Sequence, residues 1–517
     1  MSSASIPATT RAPLRVEDVV SAGLCIGCGA CAGRFGGDAQ MRWDVHGHLK
    51  PVPESFGGEL ADVSRTCPFS PDAKNETTIG LEQFPKATHD DAVVGRFDAA
   101  YVGHVAQGGF REAGSSGGMV SWVAAELLRA GLVDAVAHVV AAADPQAEGR
   151  FFHYRLSRSE EAVRSGAKSR YYPVEMSDVI REVRAVPGRY AVVGIPCFIK
   201  AINLLRDEDP VLRDRIAFTL GLFCGHMKSA RFVESFAWQM GVKAEEIARV
   251  DFRLKNPDRP ANWYTAHLAL RDGTSAIRDW WHLADGDWGA GFFQNSACDY
   301  CDDVIAETAD ISFGDAWVEP FSSDGRGTNV IVVRSPALHD LVRRAIARGR
   351  LDLSAVDARF IERTQEAGLR HRREGLAYRL AWLGPTRLRL CKRVDARARG
   401  LPLRRRLIYR MRHHIAVWSA RMSLLAHRQA RPRLYVDWAR AALALYHGLA
   451  YSRGRFGRLA DHVEAMAGRL GIRRGIEAAQ PNRANGTALR PGGSDQASRG
   501  EGDVQLHRRS HHDGFRR

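Results

Sequence analysis

Cysteine placement constrains this 517-residue chain more than any other feature. Cys25, Cys28 and Cys31 stand at two-residue spacing, as in a bacterial ferredoxin loop, yet Phe35 and Gly36 occupy the positions where such a run ends in Cys-Pro. The missing pair is displaced. "MRWDVHGHLKPVP" alternates apolar and polar residues at Met41, Trp43 and Val45 and turns at His46-Gly47, which predicts a hairpin insertion, and Cys67-Pro68 follows it in "TCPFS". Four thiolates from one short segment suit a 4Fe-4S cube, with small Gly27, Gly29 and Ala30 letting backbone amides approach the sulfurs. A structural zinc site meets the same four-cysteine requirement, although three ligands at two-residue spacing match the corners of a cube better.

A second group is built on strand ends. "RYAVVGIPCFIKAINLL" reads as a buried strand, a sharp turn carrying Pro196-Cys197 and a helix, and "RIAFTLGLFCGHMKSARFVESFAWQMG" repeats the arrangement with Cys224 in the turn. Carboxyl ends of neighbouring strands in an open α/β sheet line the crevice where ligands bind. "ACDYCDD" supplies Cys298 and Cys301, so the sum is again four and predicts a second cluster. Taken singly, Cys197 and Cys224 are also compatible with ordinary buried cysteines.

Nine cysteines, an odd number in C-x2-C spacings, fit metal ligation in a reducing compartment better than a disulfide framework, and Cys391 alone falls outside the two groups. "MSSASIPATTRAPLR" has no apolar core of signal-peptide length, and no run of about 18 uncharged apolar residues occurs. The expectation is a soluble, cytoplasmic chain of two or three domains without internal repeats. The net charge of +15 is regional: residues 361–475 carry 27 Lys and Arg against 7 Asp and Glu. From 476 the sequence is rich in Gly, Pro, Ser and Asn and reads as a disordered tail.

Between 98 and 140 the order is strand "DAAYVGHVA", loop "QGGFREAGSSGG", helix "MVSWVAAELLRAG" and strand "LVDAVAHVV", a βαβ unit. Ser115, Ser116, Gly117 and Gly118 place hydroxyls and close-approaching amides at a helix N-terminus, where a phosphate is favoured. The loop is not a G-x-G-x-x-G fingerprint, and a capped helix start reads the same way. Beside two candidate clusters, however, a phosphate loop points to a flavin, which joins one-electron to two-electron chemistry. A proton donor is needed as well, and the candidates are Asp315 in "ADISFGDAW" and His226 beside Cys224.

The set "SSGGMVSWVAAELLRAGLVDAV", "AKSRYYPVE", "VVGIPCFIKAINLL", "GLFCGH" and "CDYCDDVIAETADISFGDAW" resembles the coenzyme F420 hydrogenase/dehydrogenase beta-subunit family, whose relatives include 7-hydroxymethyl chlorophyll a reductase, over residues 20 to 350. The resemblance implies an FAD-dependent iron-sulfur oxidoreductase. By it, Ser115 to Gly118 and the loop at Lys168, Ser169 and Arg170 meet the flavin, while Cys197, Cys224, Cys298 and Cys301 hold a cluster. The N-terminal quartet matches a ferredoxin-like extension found in many members. Electrons are then expected to pass from a ferredoxin-like donor through two 4Fe-4S clusters and FAD to a small-molecule acceptor, F420 or another metabolite. An electron-transfer or adaptor subunit of a larger complex, without a substrate site of its own, is the alternative.

The expected fold is α/β of the mixed α+β kind. It comprises a ferredoxin-like segment (1–85), a flavin-binding region (86–185), a region with the second cluster and active site (186–360), an Arg-rich helical extension (361–475) and the tail (476–517). In the extension Leu407, Met411, Ile415, Trp418, Met422 and Leu425 form an apolar stripe at three- and four-residue spacing, and Leu434, Trp438, Leu445 and Leu449 form a second. These predict helices packed on the α/β body with a solvated arginine face. The arginines also suit a peripheral contact with the inner membrane face or an acidic protein such as ferredoxin, whereas no readout motif accompanies them for nucleic acid. Assembly into a homo-oligomer is left open.

Overall fold

Eight strands rich in Val, Ile and Ala assemble the central sheet of the computed structural model, which describes residues 13–35, 37–57, 62–384, 388, 390 and 392–469. The strands are β1 (Ala99–Val105), β2 (Ala135–Ala141), β3 (Phe152–Ser157), β4 (Tyr190–Gly194), β5 (Ile216–Leu222), β6 (Ile311–Asp315), β7 (Asn329–Val333) and β8 (Leu351–Val356). Their order across the sheet is β8-β1-β7-β6-β5-β4-β2-β3. The inner four, β6, β5, β4 and β2, run parallel, and the flanking pairs are antiparallel. β4 and β7 are buried along their whole length, as strands covered on both faces must be.

The expected βαβ unit is present as β1, helix α1 (Met119–Arg129) and β2, but β7, β6, β5 and β4 stand between its strands. On one face of the sheet α1 and a later helix over Pro336–Ala347 pack Trp122, Leu127, Leu338 and Val342 against Val193, Leu220, Phe313 and Ile331. On the other, α2 (Ser177–Ala185) and α3 (Pro196–Glu208) bury Val179, Ile180, Phe198 and Ile202 over Ala135, Ala137, Tyr190 and Val192.

The N-terminal segment is part of that second layer. Its short helix Ala30–Arg34 lies so close to α2 that a Cβ on Gly33 would meet the Ile180 side chain at 2.7 Å, and Met176 N donates to Cys28 O at 2.9 Å. The predicted hairpin pairs Met41–Trp43 with Leu49–Pro51. Its tip rests on the start of α4 (Arg231–Met240), where Ser229 Oγ donates to His46 O at 2.6 Å and Ala230 N to Gly47 O at 2.9 Å.

Beyond the sheet, α5 (Glu366–Arg372) is followed by two long helices, α6 (Leu403–Arg428) and α7 (Pro432–Tyr451), which pack together and against the body. The extension is therefore helical and docked, as expected, but its inward side differs from the predicted stripe. Of the predicted stripes Met411, Ile415, Met422, Trp438 and Leu449 face inward, whereas Leu407, Trp418, Leu425, Leu434 and Leu445 are exposed and α6 buries Tyr409, Ala416, Ser419 and Ser423 in their stead. The reason is the surface beneath. The body presents buried carboxylates and backbone donors there, so His413 meets Asp299 at 2.7 Å, Ser419 Oγ accepts from Phe293 N at 2.8 Å, and Tyr435 donates to Asp285 at 2.8 Å. Hydrogen-bonding demand from buried polar groups outweighed apolar periodicity.

The predicted tail from 476 and Cys391 lie outside the described residues.

Candidate functional site

Parallel pairing brings the carboxyl ends of β4, β5 and β6 to one edge of the sheet, and the sequence loads that edge with chemistry. Ile195 caps α3, placing Cys197 in its first turn directly after β4, and Cys224 follows β5. A 3-10 turn over Ser296–Tyr300 carries Cys298, with Cys301 just past it. Cys197 lies within electrostatic reach of Cys301, Cys224 and Cys298, so the four predicted ligands are gathered at one place. Met227 N donates to Cys298 Sγ at 3.3 Å, the amide-to-sulfur contact that stabilises added charge on a thiolate.

Arg372, at the end of α5, closes the quartet. Its guanidinium donates to the carbonyls of Gly225 and Cys298, its Nε has no hydrogen-bond partner, and the side chain is 2 % exposed. Burial opposes its charge, but the four cysteines outweigh burial and hold the guanidinium above its ordinary value. Burial in turn pushes Cys301 up to about 11 even with Arg372 beside it.

Cys25, Cys28, Cys31 and Cys67 surround a small pocket walled by Val16, Val19, Met41, Val63 and Phe69. Burial, then Cys28, Cys25 and Cys67, push the Cys31 thiol well above its usual value, and burial lifts Cys67 to about 12. Crowded buried thiols of this kind ionise together only when a cationic centre joins them, which is the donor chemistry of a metal cluster. Gly27 and Gly29 hold φ of +80° and +75°, and a Cβ at either would run into backbone or side chain within 2.4 Å, so both turns require glycine. Among the described residues no group of three or more His, Cys, Asp or Glu is placed to hold a single metal ion. The two quartets adjoin: Cys197 feels Cys28, and Tyr154, whose hydroxyl donates to Val193 O at 2.9 Å, feels both.

A cavity of about 950 Å³ opens from the same edge and is lined by Ser115, Ser116, Gly118, Lys168, Ser169, Arg170, Cys224, His226 and Asp315. Two predicted binding loops meet there, since Ser169 N donates to Ser115 Oγ at 2.9 Å. Gly117 stands behind the wall, where a Cβ would meet Asn329 and the Gly103 carbonyl within 2.9 Å. Asn329 accepts from Met119 N at 3.2 Å and donates to Gly314 O at 3.0 Å, tying the α1 start to β6. Lys168 adopts φ +109°, outside the usual range for a side-chain-bearing residue, and its ammonium pairs with Asp251 at 3.3 Å. Strain of this sort concentrates where a backbone must present itself to a ligand.

The predicted proton donors face the cavity in altered circumstances. Asp315 accepts from the buried Arg253 at 2.9 Å, and Arg253 lies 4.3 Å over the Tyr264 ring. His226 stacks on Trp288 at 4.2 Å with its Nε2 unpartnered, and burial, then Lys228, Arg412 and Arg372, hold its imidazole well below the ordinary value. Sequence reasoning missed Lys228. Its ammonium, donating to Phe292 O at 2.6 Å and lying 4.9 Å over Trp288, is pushed down by burial to about 7. Asp285, Asp287 and Cys298 pull that value up, and Arg412 pushes it down. The aromatic wall of Tyr171, Trp280 and Trp288 was likewise unread, and Tyr264 joins it. A lysine two residues past His226 carried a weak signal, but the aromatic wall is assembled from separate loops.

Residues 100–181 match the N-terminal region, and residues 188–359 the C-terminal region, of the family described as coenzyme F420 hydrogenase/dehydrogenase, beta subunit. The first stretch contains both loops at the cavity, and the second contains Cys197, Cys224, Cys298, Cys301, His226, Lys228 and Asp315. The N-terminal quartet, Arg372 and the long helices fall outside both. A chain of the xenon-derivatized F420-reducing NiFe hydrogenase complex from Methanosarcina barkeri is similar, with 14 % identity and a TM-score of 0.44, covering 57 % of this chain and 97 % of that one. No curated protein matches.

Proposed function

From the premise that the chain belongs to the coenzyme F420 hydrogenase/dehydrogenase beta-subunit family, the redox subunit of these enzymes, we propose that it is a flavin- and iron-sulfur-dependent oxidoreductase. It takes electrons from a ferredoxin-like donor and passes them to a small-molecule acceptor, F420 or another metabolite. The observation that carries this reading is a shared wall: Cys224 of the second quartet and the Ser115–Ser169 loop pair line one cavity. A redox cofactor there would lie against a cluster site.

The donor sets fit the groups proposed for them. Each quartet offers four crowded thiols, one buried and three half-buried, to a 4Fe-4S cluster, and FAD is suited by the hydroxyls of Ser115 and Ser116, the cations Lys168 and Arg170, and the aromatic wall. When bound, the clusters supply one-electron relay, and the flavin supplies its conversion to two-electron chemistry. Within that frame the chain's own residues have separable tasks. Arg253, anchored by Asp315, orients an anionic or planar ligand, and Lys228 Nζ holds a proton beside the cavity. The family's description as a beta subunit supports a protein that works beside other subunits.

Anaerobic purification followed by iron, sulfide and flavin analysis tests the reading. Two cubes predict about eight irons and eight sulfides per chain, with releasable FAD. Zinc in place of iron, with no flavin, would sink it.

A further inference from the structure

Helix α6 contains seven arginines, three histidines and no acidic residue in its 26 positions. Leu403, Leu407, Trp418 and Leu425 on it are 61, 38, 46 and 41 % exposed. These four recur with Arg410, His414, Arg421 and Arg428 at three- and four-residue steps, so they occupy one face, turned away from the Ser419–Ser423 side that binds the body. At 1.5 Å per residue the helix is about 39 Å long. On α7 the exposed residues include Leu434 and Leu445 together with Arg433 and Arg440; Asp437, 3.5 Å from Arg440, is its acidic exception. Arg421 stacks on Trp418 at 5.3 Å, so the central indole and its cation are presented together.

We propose that this face docks the protein on an anionic lipid surface, with Leu and Trp side chains entering the headgroup boundary and arginines meeting lipid phosphates. Among the described residues no helix is long and apolar enough to cross a membrane, so the contact is one of lying on the surface. Charge complementarity selects the occupant. A second copy docked through the same face would bring arginine rows of like charge together. An acidic protein would answer the arginines but leave a long line of leucines without a use. A bilayer interface answers both, because it offers phosphates at the level where arginine heads extend and hydrocarbon where leucines reach.

The test uses the purified full-length holoprotein and vesicles of phosphatidylcholine alone or with 30 % phosphatidylserine. Co-sedimentation is expected with the anionic vesicles and at least tenfold less with neutral ones, and it should weaken as salt rises. Trp418→Ser with Leu425→Ser, and separately Arg421→Gln with Arg428→Gln, should each reduce partitioning at least tenfold. Both variants should keep the wild-type iron and flavin content and thermal transition, since none of the four side chains is buried. Three results would overturn the proposal: undiminished binding by both variants, equal binding to neutral vesicles, or a wild-type dimer that Trp418→Ser splits into monomers.

Discussion

The two cysteine quartets use identical donors in unlike settings. The first comes from a single segment, Cys25 to Cys67, and closes on an apolar pocket; its nearby cations are Lys50, bonded to the Cys25 carbonyl, and Lys200, felt by Cys67. The second is gathered from positions as far apart as 197 and 301, opens toward the large cavity and has the buried guanidinium of Arg372 against it. A buried positive charge favours the reduced, more negative state of any centre it faces. With a cluster in each quartet, the second would hold an electron more readily, so the proposed flow from the N-terminal segment toward the cavity would run downhill. The difference is one of electrostatic surroundings.

Removing one ligand from each side gives the largest effect and the clearest split. Cys28→Ser should lose about half the iron and keep the flavin, whereas Cys298→Ser should lose about half the iron and weaken flavin retention, because the Met227 amide it binds belongs to the cavity wall. Iron, sulfide and flavin per chain decide this, and equal flavin loss in both variants would erase the contrast. Lys228 comes next. Its ammonium deprotonates as pH rises through about 7, so reduction of a two-electron acceptor should fall above that pH. Lys228→Met should lower that turnover roughly 10²–10⁴-fold and flatten the profile, leaving one-electron dye reduction intact.

Arg372→Met should move the second centre's midpoint negative by roughly tens of millivolts in an EPR-monitored redox titration, with the first centre unmoved and Arg372→Lys restoring part of the shift. A midpoint unchanged at full iron content would break the proposed ordering. The smallest effect belongs to Tyr154→Phe between the quartets. It leaves the Val193 carbonyl without its partner and should cost about 1 kcal/mol of stability in denaturant melts, with both potentials unaltered.

The two cysteine groups were legible in the sequence because they depend on local grammar. Two-residue spacing, a displaced Cys-Pro and strand-turn-helix patterns each announce themselves, and β4 and β5 proved to be parallel neighbours. The meeting of Ser115 with Ser169, 54 positions away, was reached through family resemblance, since spacing alone is silent on it. Arg372 and Arg253 escaped notice because their partners lie 74 and 62 residues off along the chain. The α6 stripe misled for a different reason. Its periodicity is real, but periodicity names a face without naming what lies under it, and Asp299 and the Phe293 amide turned the helix toward the neighbouring side that carries His413 and Ser419.

Gly33 pressed on Ile180, and the hairpin tip seated on the start of α4, leave the N-terminal quartet no arm on which to swing. An electron arriving at a cluster there would cross toward Cys197 through matter that stays in place. Glycerol, which slows carriers that ferry charge on a tether, should leave this hop untouched.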